Sequence, residues 1–344
     1  MRLLIFRKGA FGDVVITTPL IRYIHSRGHE ICYIANERGV QILKGNPHIF
    51  KLIEDKTDSV PSEQLPKLIQ YHSDRNKCDK VLDLSESIEV ALSQHPRSPN
   101  YKLPRNEKIR LFDKNYYEYT FEFAHKIVPE YMGDDWKTDD MEERRKIMSP
   151  ELFFTEQELD NARKHIKNGC FNILIGMSGS GTNKAYPWTE HISHKICEEF
   201  EDIHIITVGD ERCQIIEPIL KSRITNLSGK VSMRTSMALS GLVDLILSPD
   251  TGLLHSSGVY PTPKIGLLGH NTREVITKHF LNDYSIEADP KLSECAPCLS
   301  LIYNMKLQCP IDLSTGGSMC MSKGIKPELV LERIREVYVR SKER

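Results

Sequence analysis

Hydrophobic and polar positions along this chain switch between a strand-like and a helix-like rhythm, and the switches mark out its elements. An apolar run at 2–6 gives way to helical spacing over 14–27, then to a second run at 30–35 and a short helix at 37–45. Runs at 49–53 and 79–83 predict further short strands, and Tyr, Phe and Ala at helical spacing predict a helix over 115–128. A polar and charged stretch at 129–150 follows. The alternation then restarts with strand 171–177, helix 189–200, strand 203–209 and helix 211–221. It continues through helix 232–241, strand 242–248, helix 251–259 and strand 263–269 to a last helix at 326–341. That helix opens on Lys-Pro-Glu, which suits a first turn.

Strands interleaved with helices predict α/β architecture, with parallel sheets covered on both faces. The expected organisation is an N-terminal Rossmann-like domain over 1–150 and a C-terminal one over 151–325, with 129–150 as the interdomain connection and 326–344 as a terminal helix. Ligands of doubly wound sheets bind beyond the carboxyl ends of the strands. The cleft between the halves is therefore where chemistry is to be sought.

Composition changes this picture little. The chain has 344 residues, 40% hydrophobic and 27% charged, with a formal net charge of −1, so no global field advertises nucleic acid as a partner. No stretch reaches the roughly 18 to 20 apolar residues of a membrane span, and the opening run lacks the features of a signal peptide; a cytoplasmic protein without a transmembrane segment is expected. The cysteines number nine, an odd count, which does not suggest a secreted disulfide scaffold. Cys32, Cys78, Cys170, Cys197 and Cys213 read as small core residues.

Four loops follow predicted strands. In the first, Gly9, Gly12 and Asp13 match neither a Walker A loop nor a dinucleotide fingerprint. Asp13 reads either as the cap of the following helix or as a general base, with the glycines giving a substrate room to approach. In the second, Ser178, Ser180, Thr182 and Lys184 suit a phosphate-binding nest, or simply a flexible Gly/Ser loop. In the third, Asp250, Thr251 and Gly252 open a helix, with His255 one turn in; backbone N–H groups there suit a pyrophosphate. In the fourth, Asp210 and Glu211 offer carboxylates to a ribose or base, or cap a helix. A separate basic stretch, with Arg97, Lys102, Arg105, Lys108 and Arg110, suits an anionic acceptor or a solvated surface.

Cys295-x2-Cys298-x10-Cys309-x10-Cys320 has the form of a four-thiolate knuckle holding structural zinc or iron, with reduced thiols packed in a loop as the alternative.

The order of these motifs is more specific than any one of them. Gly-Asp-x3-Thr-x-Pro at 12–19, then Lys184 with Trp188, then Asp250-Thr251-Gly252-Leu253-x-His255 resembles glycosyltransferase family 9, the heptosyltransferases that build lipopolysaccharide core from ADP-heptose. The resemblance extends to the cysteine-rich C-terminal segment and is weakest over 50–150. It implies a GT-B fold of two Rossmann-like domains facing across a cleft, and an inverting, metal-independent transfer. The acceptor, a saccharide that the family presents lipid-linked at the inner membrane face, would bind the first domain, and the nucleotide sugar the second. Residue by residue, Asp13 resembles the general base and Lys184 the phosphate-binding lysine. Glu211 resembles the nucleoside-reading carboxylate, while Asp250, Thr251, Gly252 and His255 resemble the sugar and pyrophosphate motif. Ser178 and Thr182 join the donor side by this reading; Gly12, Arg97, Arg105 and Arg110 join the acceptor side. A related branch, the autotransporter heptosyltransferases, acts on protein, holds iron on such cysteines and assembles into rings. That leaves open the acceptor (a saccharide, a protein or a nucleobase), the metal, the oligomeric state and a non-catalytic nucleotide-sugar-binding role. The chain departs from the family at Gly269-His270-Asn271-Thr272, where Gly-Pro-Thr is usual, and at Lys184-Ala185-Tyr186-Pro187-Trp188 in place of Lys-x-Trp-Pro.

Overall fold

The computed structural model describes residues 1–56, 64–85, 102–104, 107, 114–177, 179, 181–219, 222–300 and 309–343. A first parallel sheet contains β1 (Arg2–Phe6), β2 (Glu30–Ala35), β3 (Lys51–Glu54) and β4 (Lys80–Asp83) in the order β3-β2-β1-β4. Side chains alternate across a strand, and β1 uses both faces. Leu3 and Ile5 enter one core with Val14, Leu20 and Phe121, whereas Leu4 and Phe6 enter another with Ile34 and Ile69.

The helix expected over 14–27 is two helices, α1 (Phe11–Val15) and α2 (Thr18–Ser26). At the break Thr17 and Thr18 turn their hydroxyls back onto the Val14 and Val15 carbonyls, each at 2.8 Å, a bond that competes with regular helix. Then come α3 (Glu37–Leu43), α4 (Leu65–Arg75) and α5 (Tyr116–Ile127). The Asn36 and Asn115 side chains cap α3 and α5.

Residues 129–150, expected as the interdomain connection, are themselves folded against the first lobe. They form two short 3-10 turns and α6 (Met141–Met148), and they bury Tyr131, Trp136 and Met148 in the first core. With Met132 these are four apolar side chains, spaced too irregularly to register as a period, and they outweigh the surrounding charge.

The second parallel sheet contains β5 (Phe171–Gly176), β6 (Ile203–Val208), β7 (Ile224–Asn226), β8 (Leu245–Pro249), β9 (Lys264–Leu268) and β10 (Ile286–Glu287), in the order β10-β9-β8-β5-β6-β7. Among the described residues the α-helices that accompany it are α7 (Glu156–Arg163), α8 (Thr189–Glu199), α9 (Met233–Leu239), α10 (Gly252–Ser257), α11 (Arg273–Ile276) and α12 (Pro327–Lys342). Ile173 and Ile175 of β5 face α8 and α12, while Leu174 faces α9 from the other side. The helix expected over 211–221 is instead a 3-10 run, Glu211–Ile216. Pro218 disfavours helical geometry at Glu217.

The lobes share one apolar core. Val275, Ile276 and Phe280 of the second pack with Tyr117 and Phe121 of the first. Polar straps flank this contact. Arg234 bonds Glu158 at 2.6 Å and reaches the Gln41 carbonyl at 2.6 Å; its guanidinium holds the Glu158 carboxyl down at about 2. On the far side His279 Nε2 meets Glu118 at 2.9 Å, and Asn115 donates to the Val275 carbonyl at 3.1 Å.

Candidate active site

A cleft of about 630 Å³ opens between the lobes at the carboxyl ends of both sheets. Asp13 stands on its first wall. It lies in the first turn of α1, where its Oδ2 accepts the Ala10 N–H at 2.8 Å and faces Arg7 Nη2 at 3.3 Å. Arg7, at the end of β1, is 1% exposed and anchored on the Leu84 carbonyl at 2.7 Å. So the carboxylate is part of the helix start and also lines the cleft. The two readings of Asp13 are compatible, since its cap-like bond fixes the direction in which it points.

The glycines beside it make room for the protein's own side chains. A Cβ on Gly9 would stand 2.4 Å from Asp13 Oδ2, and one on Gly12 would stand 2.5 Å from His255 Cδ2. Across the lobe boundary a Cβ on Gly252 would stand 2.3 Å from the Phe11 Cβ. Gly12 and Gly252 together let α1 and α10 touch, and the missing Gly12 side chain makes room for His255. Gly12→Ala is therefore expected to cost about 1–3 kcal/mol by overpacking, read from urea unfolding of both proteins. An unchanged midpoint would show that the lobes yield freely at this contact.

Asp250 forms the second wall, directly after β8. It is 5% exposed, and its carboxylate takes contacts from three segments. His255 Nε2 lies 3.3 Å from Oδ1; His270 Nε2 and the Asn271 amide lie 3.2 and 2.8 Å from Oδ2. Lys184 Nζ donates to the Asp250 carbonyl at 2.7 Å and stands 3.5 Å from Oδ2. Burial alone would raise the Asp250 carboxyl, but Lys184 and the two imidazoles outweigh it and hold the group well below the ordinary carboxylate range. Burial, reinforced by Lys184, pushes His270 down against the pull of Asp250, which favours the neutral imidazole.

Of the residues expected from sequence, Asp13, Gly12, Lys184, Asp250, Thr251, Gly252 and His255 all line the cleft. Glu211 is exposed and outside the lining; Asp210 and Arg212, ion-paired at 3.0 Å, stand there instead. Asp210 caps the 3-10 run by accepting the Cys213 N–H, which turns the next residue outward. Ser178, Arg97, Arg105, Arg110 and the side chain of Thr182 lie outside the described residues. Arg7, His270 and Asn271 carried no functional expectation, although the departure at 269–272 marked the place of the last two.

The four C-terminal cysteines are neighbours. The Cys309 thiol is pushed up to about 12, by burial first and then by Cys298, Cys320 and Cys295. Among the described residues, however, no three His, Cys, Asp or Glu side chains stand where they could hold a metal ion, so the described geometry does not fit the expected zinc or iron knuckle. Cys320 instead takes a hydroxyl contact from Ser318 and packs against Gly269. Among the described residues no helix is long and apolar enough to cross a membrane.

Residues 145–300 match the model of glycosyltransferase family 9 (heptosyltransferase). Lipooligosaccharide heptosyltransferase 2 of Campylobacter jejuni is similar in two strains. In one the match is 26% identical and covers 99% of each chain. In the other it is 27% identical and covers 50% of this chain and 53% of that protein. Two solved structures share the fold. The family-9 glycosyltransferase from Veillonella parvula aligns with TM-score 0.67 at 14% identity, over 98% of this chain and 97% of that one. E. coli ADP-heptose lipopolysaccharide heptosyltransferase II aligns with TM-score 0.64 at 15% identity, over 99% and 100%.

Proposed function

We propose, for a chain that belongs to glycosyltransferase family 9 and has its GT-B fold, that this glycosyltransferase moves a heptose from ADP-heptose to a saccharide hydroxyl of lipopolysaccharide core. The observation that carries the reading is one cleft with the Asp13 carboxylate on one wall and the Lys184–Asp250 network on the other. In the proposed step Asp13 takes the proton of the acceptor hydroxyl. The acceptor oxygen bonds the anomeric carbon from the face opposite the diphosphate. The carbon–oxygen bond to the diphosphate breaks and its electron pair leaves with the nucleotide, so the anomeric centre inverts. Lys184 meets the charge that develops on the leaving group, beside the backbone at Thr251 and Gly252.

The first sheet and its lobe would receive the acceptor and the second the nucleotide sugar, with domain limits near 150 and 325. A lipid-linked acceptor would bring the protein to the inner membrane face as a peripheral partner. The test is nucleotide release from a panel of nucleotide sugars, with and without core saccharides. Release from ADP-heptose that rises with the saccharide supports the reading, and no acceptor-dependent release from any sugar overturns it. With a lysine in the electrostatic role, turnover is expected to be unchanged by EDTA; a loss restored by a divalent cation would assign that role to a metal.

A further inference from the structure

We propose that His270 and Asn271 are donor-side positioning residues, which hold the Asp250 carboxylate and through it aim Lys184 at the diphosphate of the nucleotide. This rests on the reading above and deepens it. Both carboxylate oxygens of Asp250 are already engaged by the protein's own side chains. Its Oδ1 faces His255 Nε2 at 3.3 Å, and its Oδ2 faces His270 Nε2, the Asn271 amide and Lys184 Nζ at 3.2, 2.8 and 3.5 Å. A carboxylate surrounded by donors is an anchor. It fixes the groups around it, and the one with charge left to spend on a ligand is Lys184, 19% exposed in its side chain and facing the cleft.

Two of the anchor's donors come from the turn after β9, where the family pattern would put proline beside the glycine. A proline has neither a side-chain donor nor a backbone N–H. The turn is itself fixed: the Leu299 N–H donates to the His270 carbonyl at 2.9 Å, and both side chains are buried, His270 at 6% and Asn271 at 1% exposed. His270 Nε2 also lies 3.2 Å from the Asn271 amide. With the Nε2 hydrogen directed at Asp250, that nitrogen has no lone pair for the amide, so Asn271 serves Asp250 with one hydrogen and its contact with the ring is packing. His270 and Asn271 line the cleft without being needed to touch the reacting atoms. Their action is indirect, through the position of Asp250 and the ammonium it holds.

The test compares wild type, His270→Leu and His270→Gln by calorimetric titration with ADP, with adenosine binding followed by ligand-observed NMR. Leucine keeps the bulk and removes the donor; glutamine restores a neutral N–H donor. His270→Leu is expected to weaken ADP about tenfold, the effect of one lost hydrogen bond to a charged group. Glutamine should recover most of that, and adenosine should bind all three alike. In turnover the loss should fall on the donor KM more than on kcat. Equal ADP affinity in wild type and His270→Leu overturns the proposal. So does parallel loss of ADP and adenosine binding, or no recovery with glutamine, since either marks a purely structural role. A wild type that binds no nucleoside diphosphate overturns the donor assignment and this proposal together. A wild type that binds ADP, with a silent His270→Leu, overturns this one alone.

Discussion

Asp13→Asn is expected to lower kcat about 10³-fold while ADP affinity stays within about twofold of wild type, since general-base catalysis contributes on the order of 10²–10⁴. Asparagine matches the size of aspartate and can still accept the Ala10 N–H, which now reaches Asp13 Oδ2 at 2.8 Å. The start of α1 should survive, and with it the Gly12–His255 contact that brings the lobes together. What disappears is the charge and the ability to take a proton. Loss of turnover with the fold and donor binding intact is therefore specific to the base. Residual kcat above a tenth of wild type would mean that another group accepts the proton, and would leave Asp13 the structural task of facing Arg7 at 3.3 Å.

Much of this site was legible in the sequence, because the chemistry sits where strands end. β1, β5, β6, β8 and β9 are short apolar runs buried on both faces. Such runs stand out from the polar loops that follow them, so the loops holding Asp13, Lys184 and Asp250 could be found without coordinates. Contacts between loops were another matter. Gly12 and His255 are 243 positions apart, and nothing in either neighbourhood says that a missing Cβ on one makes room for the ring of the other. The reading of Gly12 as room for an acceptor drew on its own neighbourhood, which does not contain this contact. Asp250 and His270 illustrate the same limit. The turn was visible as a departure, but only the pairing of β8 with β9 brings its imidazole to 3.2 Å from the carboxylate. The fold of 129–150 was hidden for a different reason. Its charged half sets the composition, while its fold depends on Tyr131, Met132, Trp136 and Met148.

Asp250→Ala carries the largest expected cost to stability, about 3 kcal/mol at neutral pH, because removing one partner from a buried charged network strands the others. Lys184 retains the Asp250 carbonyl at 2.7 Å, but His255 Nε2 and His270 Nε2 lose the acceptor they share, and both rings are buried. The pH dependence follows from the direction in which the carboxyl is held. In the folded protein it lies well below the ordinary carboxylate value, because Lys184, His255 and His270 outweigh burial. In the unfolded chain it titrates near 4, as a model aspartate does. The unfolded state therefore binds the proton first as pH falls. The stability that ionised Asp250 supplies is complete above about pH 4 and drains away as pH drops toward the folded value. Urea unfolding of wild type and Asp250→Ala should show the full difference at pH 7 and a smaller one at pH 3. An equal difference at both would mean that the carboxylate acts by shape and hydrogen bonding alone. In that case Asp250 would not be the charge that holds Lys184, and the electrostatic role proposed for that lysine would have to rest on its own bond to the Asp250 carbonyl.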